Sequence, residues 1–238
     1  GDRPVSAKGV YEVESIGALR MIARMNNEAL IKADPARIAQ AHRFFTGAAV
    51  SPFKYTEPSL VQQYDKMEKK VACGAGFLIT QVGWDWRKSQ ELFQVLQERG
   101  LHVPVLGNVY LLSTRTAAPR LMHDGKLTGC FVSDDLLAKV YAETPDGHVE
   151  RAAQQTAMYR AMGAAGVDIG GVHDWATFSR ILHRAAEIGA DWQRYKDNLC
   201  WPPSKEAFYL YDDSGRPAPL CDPDKTFGQR FFNFAHRA

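Results

Sequence analysis

The chain alternates between short, almost wholly apolar runs and longer stretches in which apolar residues recur every three or four positions. The first pattern predicts buried β-strands, and the second predicts amphipathic helices. The apolar runs predict strands over 44–50, 77–82, 103–109 and 167–172. Helical spacing predicts helices over 14–31, 58–73, 85–99, 113–123, 133–143, 148–164 and 174–188.

The segment 58–73 shows the helical pattern clearly. Proline at position 58 suits the first turn of a helix, and Gly74 suits its end. Apolar or aromatic side chains then recur at helical spacing, and we expect them to form the buried face of this helix: Val61, Tyr64, Met67 and Val71.

Strands that alternate with helices favour a parallel sheet with crossover helices. A four-stranded open sheet and half of a closed barrel both fit four such units. The chain begins at Gly1 without a methionine, as if in the middle of a fold. We therefore predict an α/β fold, the C-terminal half of a (β/α)8 TIM barrel with strands five to eight, over 1–190. Residues 191–238 are rich in proline and aromatic residues, and we predict an irregular extension that packs on the barrel or on a partner subunit.

The balance of charges excludes some classes of function. The 238 residues carry a formal net charge of +2, which is too balanced to favour nucleic acid or an anionic membrane as a partner. No apolar run approaches the roughly 20 residues that a membrane span needs. The four cysteines form no C-x-x-C pair, so no metal site is predicted. We expect a cytoplasmic protein with reduced thiols.

Polar residues stand at the predicted carboxyl ends of two strands. Gln81 follows the apolar run 77–80, and Asn108 and Tyr110 end the next strand. Ligands of α/β barrels lie at this end of the strands. An amide offers one acceptor and two donors, which suits the mixed edge of a pterin or pyrimidine. A structural amide that is satisfied at the end of a strand is an equally good interpretation of Gln81.

Two charged residues are further candidates. Asp2 precedes a proline, where a carboxylate either stabilises a cation formed in a reaction or simply forms a turn. Lys70 belongs to a basic stripe on the predicted helix before Gln81. Such stripes are usually solvated, but this lysine is near enough in sequence to reach a phosphate at the barrel mouth.

The loops at the same ends hold three other residues of interest. Trp84 and Trp86 follow Gln81, where they either stack on a flat ligand or form the hydrophobic base of the loop. His173 closes the last predicted strand and is a candidate acid–base residue, although a lone histidine is more often structural. We expect Asp174, the next residue, to cap the helix that follows.

At these residues the chain resembles methylenetetrahydrofolate reductase. The opening Gly1-Asp2-Arg3-Pro4 resembles the Arg-Gly-Asp-x-Pro segment at the end of that family's fourth barrel strand. Residues 69–81 resemble its Lys-Val-x-Ala-Gly-Ala…Ile-Thr-Gln motif, and 103–107 match its next strand. The resemblance covers residues 1 to about 189.

The resemblance implies a (β/α)8 barrel that reduces 5,10-methylenetetrahydrofolate to 5-methyltetrahydrofolate in one-carbon metabolism. It implies bound FAD and either NADH or NADPH as the reductant. Asp2 would stabilise the iminium cation of the substrate and lie close to the flavin, and Lys70 would lie near the flavin. Gln81 would hold the pterin, with Asn108 and Tyr110 on the same rim. The family's general acid would precede residue 1.

The chain also departs from the family on the helix before Gln81. Gln63 and Lys66 stand where the family has an acidic residue and an asparagine, so direct hydride transfer from the nicotinamide is an alternative to FAD. Two other functions remain open: a folate-binding barrel without reductase activity of its own, and an unrelated barrel lyase. A homo-oligomer is one arrangement that would bury the aromatic tail.

Overall fold

The computed structural model describes residues 13–27, 44–203, 207–212 and 214–218. Four strands form one sheet in this part of the chain: β1 (Gly47–Val50), β2 (Phe77–Thr80), β3 (Val105–Tyr110) and β4 (Gly166–Gly170). The described α-helices are α1 (Ser15–Asn26), α2 (Glu57–Ala72), α3 (Trp86–Glu98), α4 (Ala118–His123), α5 (Asp134–Ala142), α6 (Pro145–Ala161) and α7 (Trp175–Ile188). A 3₁₀ helix (Gly189–Leu199) follows α7 directly.

Side-chain caps fix where several helices begin. Asp85, Ser133, Thr144 and Asp174 each stand just before a helix and accept a hydrogen bond from a backbone N–H of its first turn. Those N–H groups have no partner inside the helix, so each cap satisfies a donor that would otherwise be lost. The expected capping role of Asp174 is therefore confirmed.

The sheet is parallel, and its strands follow one another in chain order, β1-β2-β3-β4. Connections between parallel strands are right-handed, so a sheet wound in this way carries all its crossover helices on one face. The predicted parallel sheet with crossover helices is confirmed. The architecture is mixed α/β and compatible with part of an α/β barrel.

Alternate residues of each strand pack against those helices. Leu78, Val105 and Val109 are at most 3% exposed and lie in clusters with side chains of α2, α3 and α6. Gly107 faces the same side, and the ring of Tyr159 lies against it, so that a Cβ at this glycine would stand 2.3 Å from the ring. Because glycine has no side chain, residue 107 lets α6 pack closely on β3.

Several element boundaries differ from those predicted. Helix α6 begins at Pro145 rather than at 148, because Thr144 caps it. Only 118–123 of the predicted helix 113–123 is helical. On α2 the buried face is rotated: Leu60 is fully buried, and Val61 is 39% exposed. None of the described helices is long and apolar enough to cross a membrane.

The segment 207–212 of the C-terminal extension lies on α3, and the carboxylate of Glu91 makes the central contact. Glu91 accepts hydrogen bonds from Tyr64 on α2 (3.0 Å), from the backbone N–H of Leu210 (2.5 Å) and from Lys88 (3.1 Å). Tyr209 adds a hydrogen bond to Asp85 at 2.8 Å. The segment 207–212 therefore packs on the helices of its own chain.

This contact contains buried charge. Lys88 is fully buried, and its ammonium faces the rings of Tyr55, Phe208 and Tyr209. Burial lowers the pKa of Lys88, and nearby Glu91 opposes that shift. A buried ammonium is costly unless a counter-charge is bonded to it, so Glu91 is the group that makes this position tolerable for a lysine.

Replacing Glu91 by alanine is expected to lower the free energy of unfolding by about 3–5 kcal/mol, because it leaves the buried charge of Lys88 without its partner. It should also release the segment 207–212, whose Leu210 N–H loses its acceptor. Urea denaturation measures the first effect, and the rate of limited proteolysis in that segment measures the second.

The matched control is Glu98→Ala, which removes an exposed carboxylate that accepts from Tyr211 and Gln94. We expect this change to cost no more than about 1 kcal/mol. Equal losses for the two variants would show that the buried pair does not hold this part of the structure.

Candidate functional site

The face of the sheet that the helices leave uncovered changes from apolar to polar toward the carboxyl ends of the strands. Ala49, Ile79, Leu106 and Gly166 are paired in register across all four strands. Two residues further on, within β3 and β4 and just past the ends of β1 and β2, continued alternation returns to the same face. The residues there are Ser51, Gln81, Asn108 and Asp168, which we call the polar row.

Gln81 is half-buried in the polar row, and only one end of its amide is engaged. Its Oε1 accepts from the backbone N–H of Val82 at 2.9 Å, and the thiol of Cys130 lies 3.8 Å away. Among the residues that the structure describes, no hydrogen bond is formed by Nε2 of Gln81. The contact with Val82 therefore fixes the orientation of the amide, and the two N–H donors of Nε2 are not used by any described residue.

Asn108 and Asp168 form the other half of the polar row. They are paired residues of β3 and β4, and Nδ2 of Asn108 stands 3.5 Å from a carboxylate oxygen of Asp168. The side chain of Asp168 is exposed, whereas its neighbours Val167 and Ile169 pack on the helix side. An amide and a carboxylate therefore lie side by side on the uncovered face.

A buried set of hydroxyl groups behind the sheet positions Asn108. Thr80 Oγ1 accepts from the backbone N–H of Asn108 at 2.8 Å and lies 3.3 Å from the hydroxyl of Tyr159. Ser89 donates to the same tyrosine at 3.4 Å. Burial raises the pKa of Tyr159, so its hydroxyl stays protonated. The position of Asn108 is thus tied to α3 and α6.

Tyr110 forms an aromatic wall next to the polar row. Its side chain lies against Gly170 and Gly171, where a Cβ would stand about 3.0–3.1 Å from ring atoms. Gly171 has a φ of 73°, a conformation that favours glycine. The tyrosine also packs on the loop cluster that contains Val82 and Leu112. Tyr110 and Asn108 are thus on the same face of β3.

Lys70 lies at the edge of the sheet. Only 8% of it is exposed, and its ammonium donates to the carbonyl of Ala49 at 2.5 Å. Burial lowers the pKa of Lys70, and the positive charge of Lys66 lowers it further. Within the described residues, no hydrogen bond or ion pair joins Lys70 to Gln81, Asn108 or Tyr110. This lysine is not part of a solvated basic face.

The remaining candidates fall into three groups. Asp2 lies outside the described residues. Trp84 and Trp86 are 3% and 9% exposed and belong to hydrophobic clusters, so they form the base of the loop. His173 is exposed, and within the described ranges it forms no hydrogen bond that would mark it as an acid or base.

Sequence reasoning missed two members of the polar row. Asp168 is a charged residue within an apolar strand, and the alternation of side chains directs it away from the helices. The sequence alone therefore contained a signal for Asp168. Ser51 gave no such signal, since Ser51-Pro52 reads as the end of a strand. Only the register between β1 and β2, which pairs Val50 with Thr80, places it beside Gln81.

No group of three or more potential metal ligands occurs in the described part of the chain. The sequence matches no known protein family and no curated protein. The function of the site is therefore inferred from its geometry and from the motif between residues 69 and 81.

Replacing Thr80 by valine should remove the acceptor for the Asn108 N–H while preserving the shape of the side chain. We expect a loss of about 1–2 kcal/mol in stability, because a part-buried donor is left unpaired. We also expect hydrogen exchange of the Asn108 amide to become at least about tenfold faster. Two-dimensional NMR with amide exchange measures both effects.

Thr46→Val is the matched control, since Thr46 donates its hydroxyl to Gly74 on the exposed surface. Its effect on exchange at Asn108 should be negligible. Unchanged exchange at Asn108 in the Thr80 variant would contradict the positioning role of Thr80.

Proposed function

We propose that the described sheet is the C-terminal half of a (β/α)8 barrel, and that the full-length protein reduces 5,10-methylenetetrahydrofolate to 5-methyltetrahydrofolate with NADH or NADPH. The polar row carries this proposal: amide and carboxylate groups lie together on the uncovered face, toward the carboxyl ends of parallel strands. Ligands of α/β barrels bind at that end. The resemblance of residues 69–81 to methylenetetrahydrofolate reductase supports a pteridine as the ligand.

The barrel part of the proposal is supported by the winding of the sheet. Strands in chain order, with all helices on one face, form an arc rather than a doubly wound sheet. Within the described residues, β1 and β4 each have a strand neighbour on one side only. Four further strands would join these edges and cover Ile79 and Leu106, which are half-buried on the uncovered face.

The free donors of Gln81 suit the proposed ligand. A reduced pteridine presents ring nitrogens and a carbonyl at its edge, so it both donates and accepts hydrogen bonds. The oxygen of Gln81 is held by Val82, which leaves Nε2 to donate. Asn108 supplies a second amide on the neighbouring strand, and Tyr110 offers an aromatic surface beside it.

The chemistry is a hydride transfer. Protonation of N10 opens the five-membered ring of the substrate and leaves a methylene iminium cation at N5. The nicotinamide hydride adds to the methylene carbon, the C=N pair of electrons returns to N5, and the oxidised nucleotide leaves. We assign the stabilisation of the cation to Asp2 and the orientation of the pteridine to Gln81. A cytoplasmic location is part of this proposal.

The structure gives no feature that supports FAD at Lys70, the described residue to which the resemblance assigns it. The ammonium of Lys70 is already bound to the carbonyl of Ala49. The other assigned contact, Asp2, lies outside the described residues. The proposal therefore derives no step through FAD and takes the nicotinamide as the hydride donor.

The same geometry of Lys70 favours a second candidate function. A barrel that binds reduced folate without reductase activity of its own needs the polar row but no flavin contact. The two candidates differ in whether the purified full-length protein oxidises NADH or NADPH only when methylenetetrahydrofolate is added.

Anaerobic loss of nicotinamide absorbance and calorimetric binding of 5-methyltetrahydrofolate test the proposal together. In the full-length protein we expect folate-dependent oxidation and saturable binding. Replacing Gln81 by alanine should weaken folate binding about tenfold, the loss of one well-placed hydrogen bond. The exposed Gln97→Ala on α3 is the matched control and should bind as the wild type does.

If the protein binds folate but does not oxidise the nicotinamide when folate is added, the folate-binding barrel is favoured over the reductase. Absence of folate binding would refute both. Equal binding by the wild type and the Gln81 variant would show that the ligand lies elsewhere.

A further inference from the structure

Asp168 is an exposed carboxylate in the middle of a strand that is otherwise apolar or glycine. Its side chain lies on the uncovered face, and in the described part of the chain its one hydrogen-bond partner is the amide of Asn108, at 3.5 Å. That bond is at the long limit for an N–H···O interaction, so the carboxylate keeps most of its capacity to accept. No described cation forms an ion pair with it.

At the other end of the row lies a hydroxyl group that is shielded from solvent. Ser51 is only 9% exposed, and its hydroxyl has no hydrogen-bond partner among the described residues. A buried hydroxyl without a partner is costly, so such groups normally meet a ligand, a water or another chain segment. The unused hydrogen-bonding capacity that a ligand on the uncovered face can reach is therefore that of Asp168 and of Nε2 of Gln81.

The spacing of the row suits a flat bicyclic ring. Neighbouring strands lie about 4.8 Å apart, so Gln81 and Asp168, two strands from each other, have backbones roughly 10 Å apart. Asn108 lies between them. A planar ligand that lies across Asn108 would meet an amide at one edge and a carboxylate at the other.

The chemistry of the two ends is different. A carboxylate accepts hydrogen bonds only, and its two oxygens match two adjacent donors. In a reduced pteridine the adjacent donors are the ring N–H at position 3 and the exocyclic amino group at position 2. We propose that Asp168 binds this cyclic guanidine edge, and that Asn108 positions its carboxylate.

This inference rests on the proposed function, because it takes a reduced pteridine as the ligand. It adds a specificity-determining residue that the resemblance does not supply. The orientation of the ring follows: the amino-pyrimidinone half lies toward β4, and the half that carries N5 lies toward β2 and Gln81.

The test uses the full-length protein and compares variants of the protein against two ligands. Calorimetry measures the affinity for 5-methyltetrahydrofolate and for its analogue without the 2-amino group. Asp168→Asn and Asp168→Ala should each weaken binding of 5-methyltetrahydrofolate about tenfold or more, since a charge-assisted pair of hydrogen bonds is lost. On the analogue, which the wild type already binds more weakly, Asp168→Ala should cause a clearly smaller loss, because only the hydrogen bond from the ring N–H at position 3 remains to be removed.

Asp191→Asn is the matched control, because Asp191 lies on the 3₁₀ helix, on the helix side of the sheet. It should bind both ligands as the wild type does. Circular dichroism confirms that the variants fold; Asp168 is exposed, so its substitution is expected to leave stability unchanged.

The outcomes separate the two proposals. If Gln81→Ala weakens folate binding while both Asp168 variants bind normally, the assignment of Asp168 is overturned and the proposed function stands. If Asp168→Ala loses equal affinity for both ligands, the carboxylate does not meet the 2-amino group. If the wild type binds no folate, the proposed function falls, and this inference falls with it.

Discussion

One constraint underlies the described structure: four parallel strands follow one another in chain order, so their helices cover only one face. Every strand must then present apolar side chains to the helices and a different set to the other face. Leu78, Val105 and Val109 meet the first demand. The second set is where this chain places Gln81, Asn108 and Asp168. The candidate site is thus a consequence of the winding, because the same alternation that builds the core brings these residues to one surface.

Charge inside the structure is concentrated on the helix side and serves a different purpose. Glu91 joins α2, α3 and the segment 207–212 through three hydrogen bonds, and Lys88 supplies the opposite charge. Removing water from such a pair is costly, so it gains its value from the directed bonds rather than from attraction alone. It fixes α3, whose Ser89 contacts Tyr159 and so supports the strand from which Asn108 projects.

The sequence was sufficient to predict the alternation of strands and helices, because periodicity is a local property. It also pointed to Gln81, Asn108 and Tyr110 as residues at strand ends. It was not sufficient to predict partners that depend on packing. Lys70 sits in a basic stripe, yet the edge of β1 draws its ammonium to the carbonyl of Ala49. The polar row itself needs the register between strands, which no local pattern encodes, and Asp2 lies outside the described residues.

The central claim is that a reduced pteridine lies on the uncovered face of this sheet, against the polar row. A crystal structure of the full-length protein with bound 5-methyltetrahydrofolate tests it most directly. The account predicts that the pteridine ring lies across Asn108, with Nε2 of Gln81 within hydrogen-bond distance of its edge. A pteridine bound on the helix side of the sheet, or one that makes no contact with Gln81 and Asn108, would contradict it.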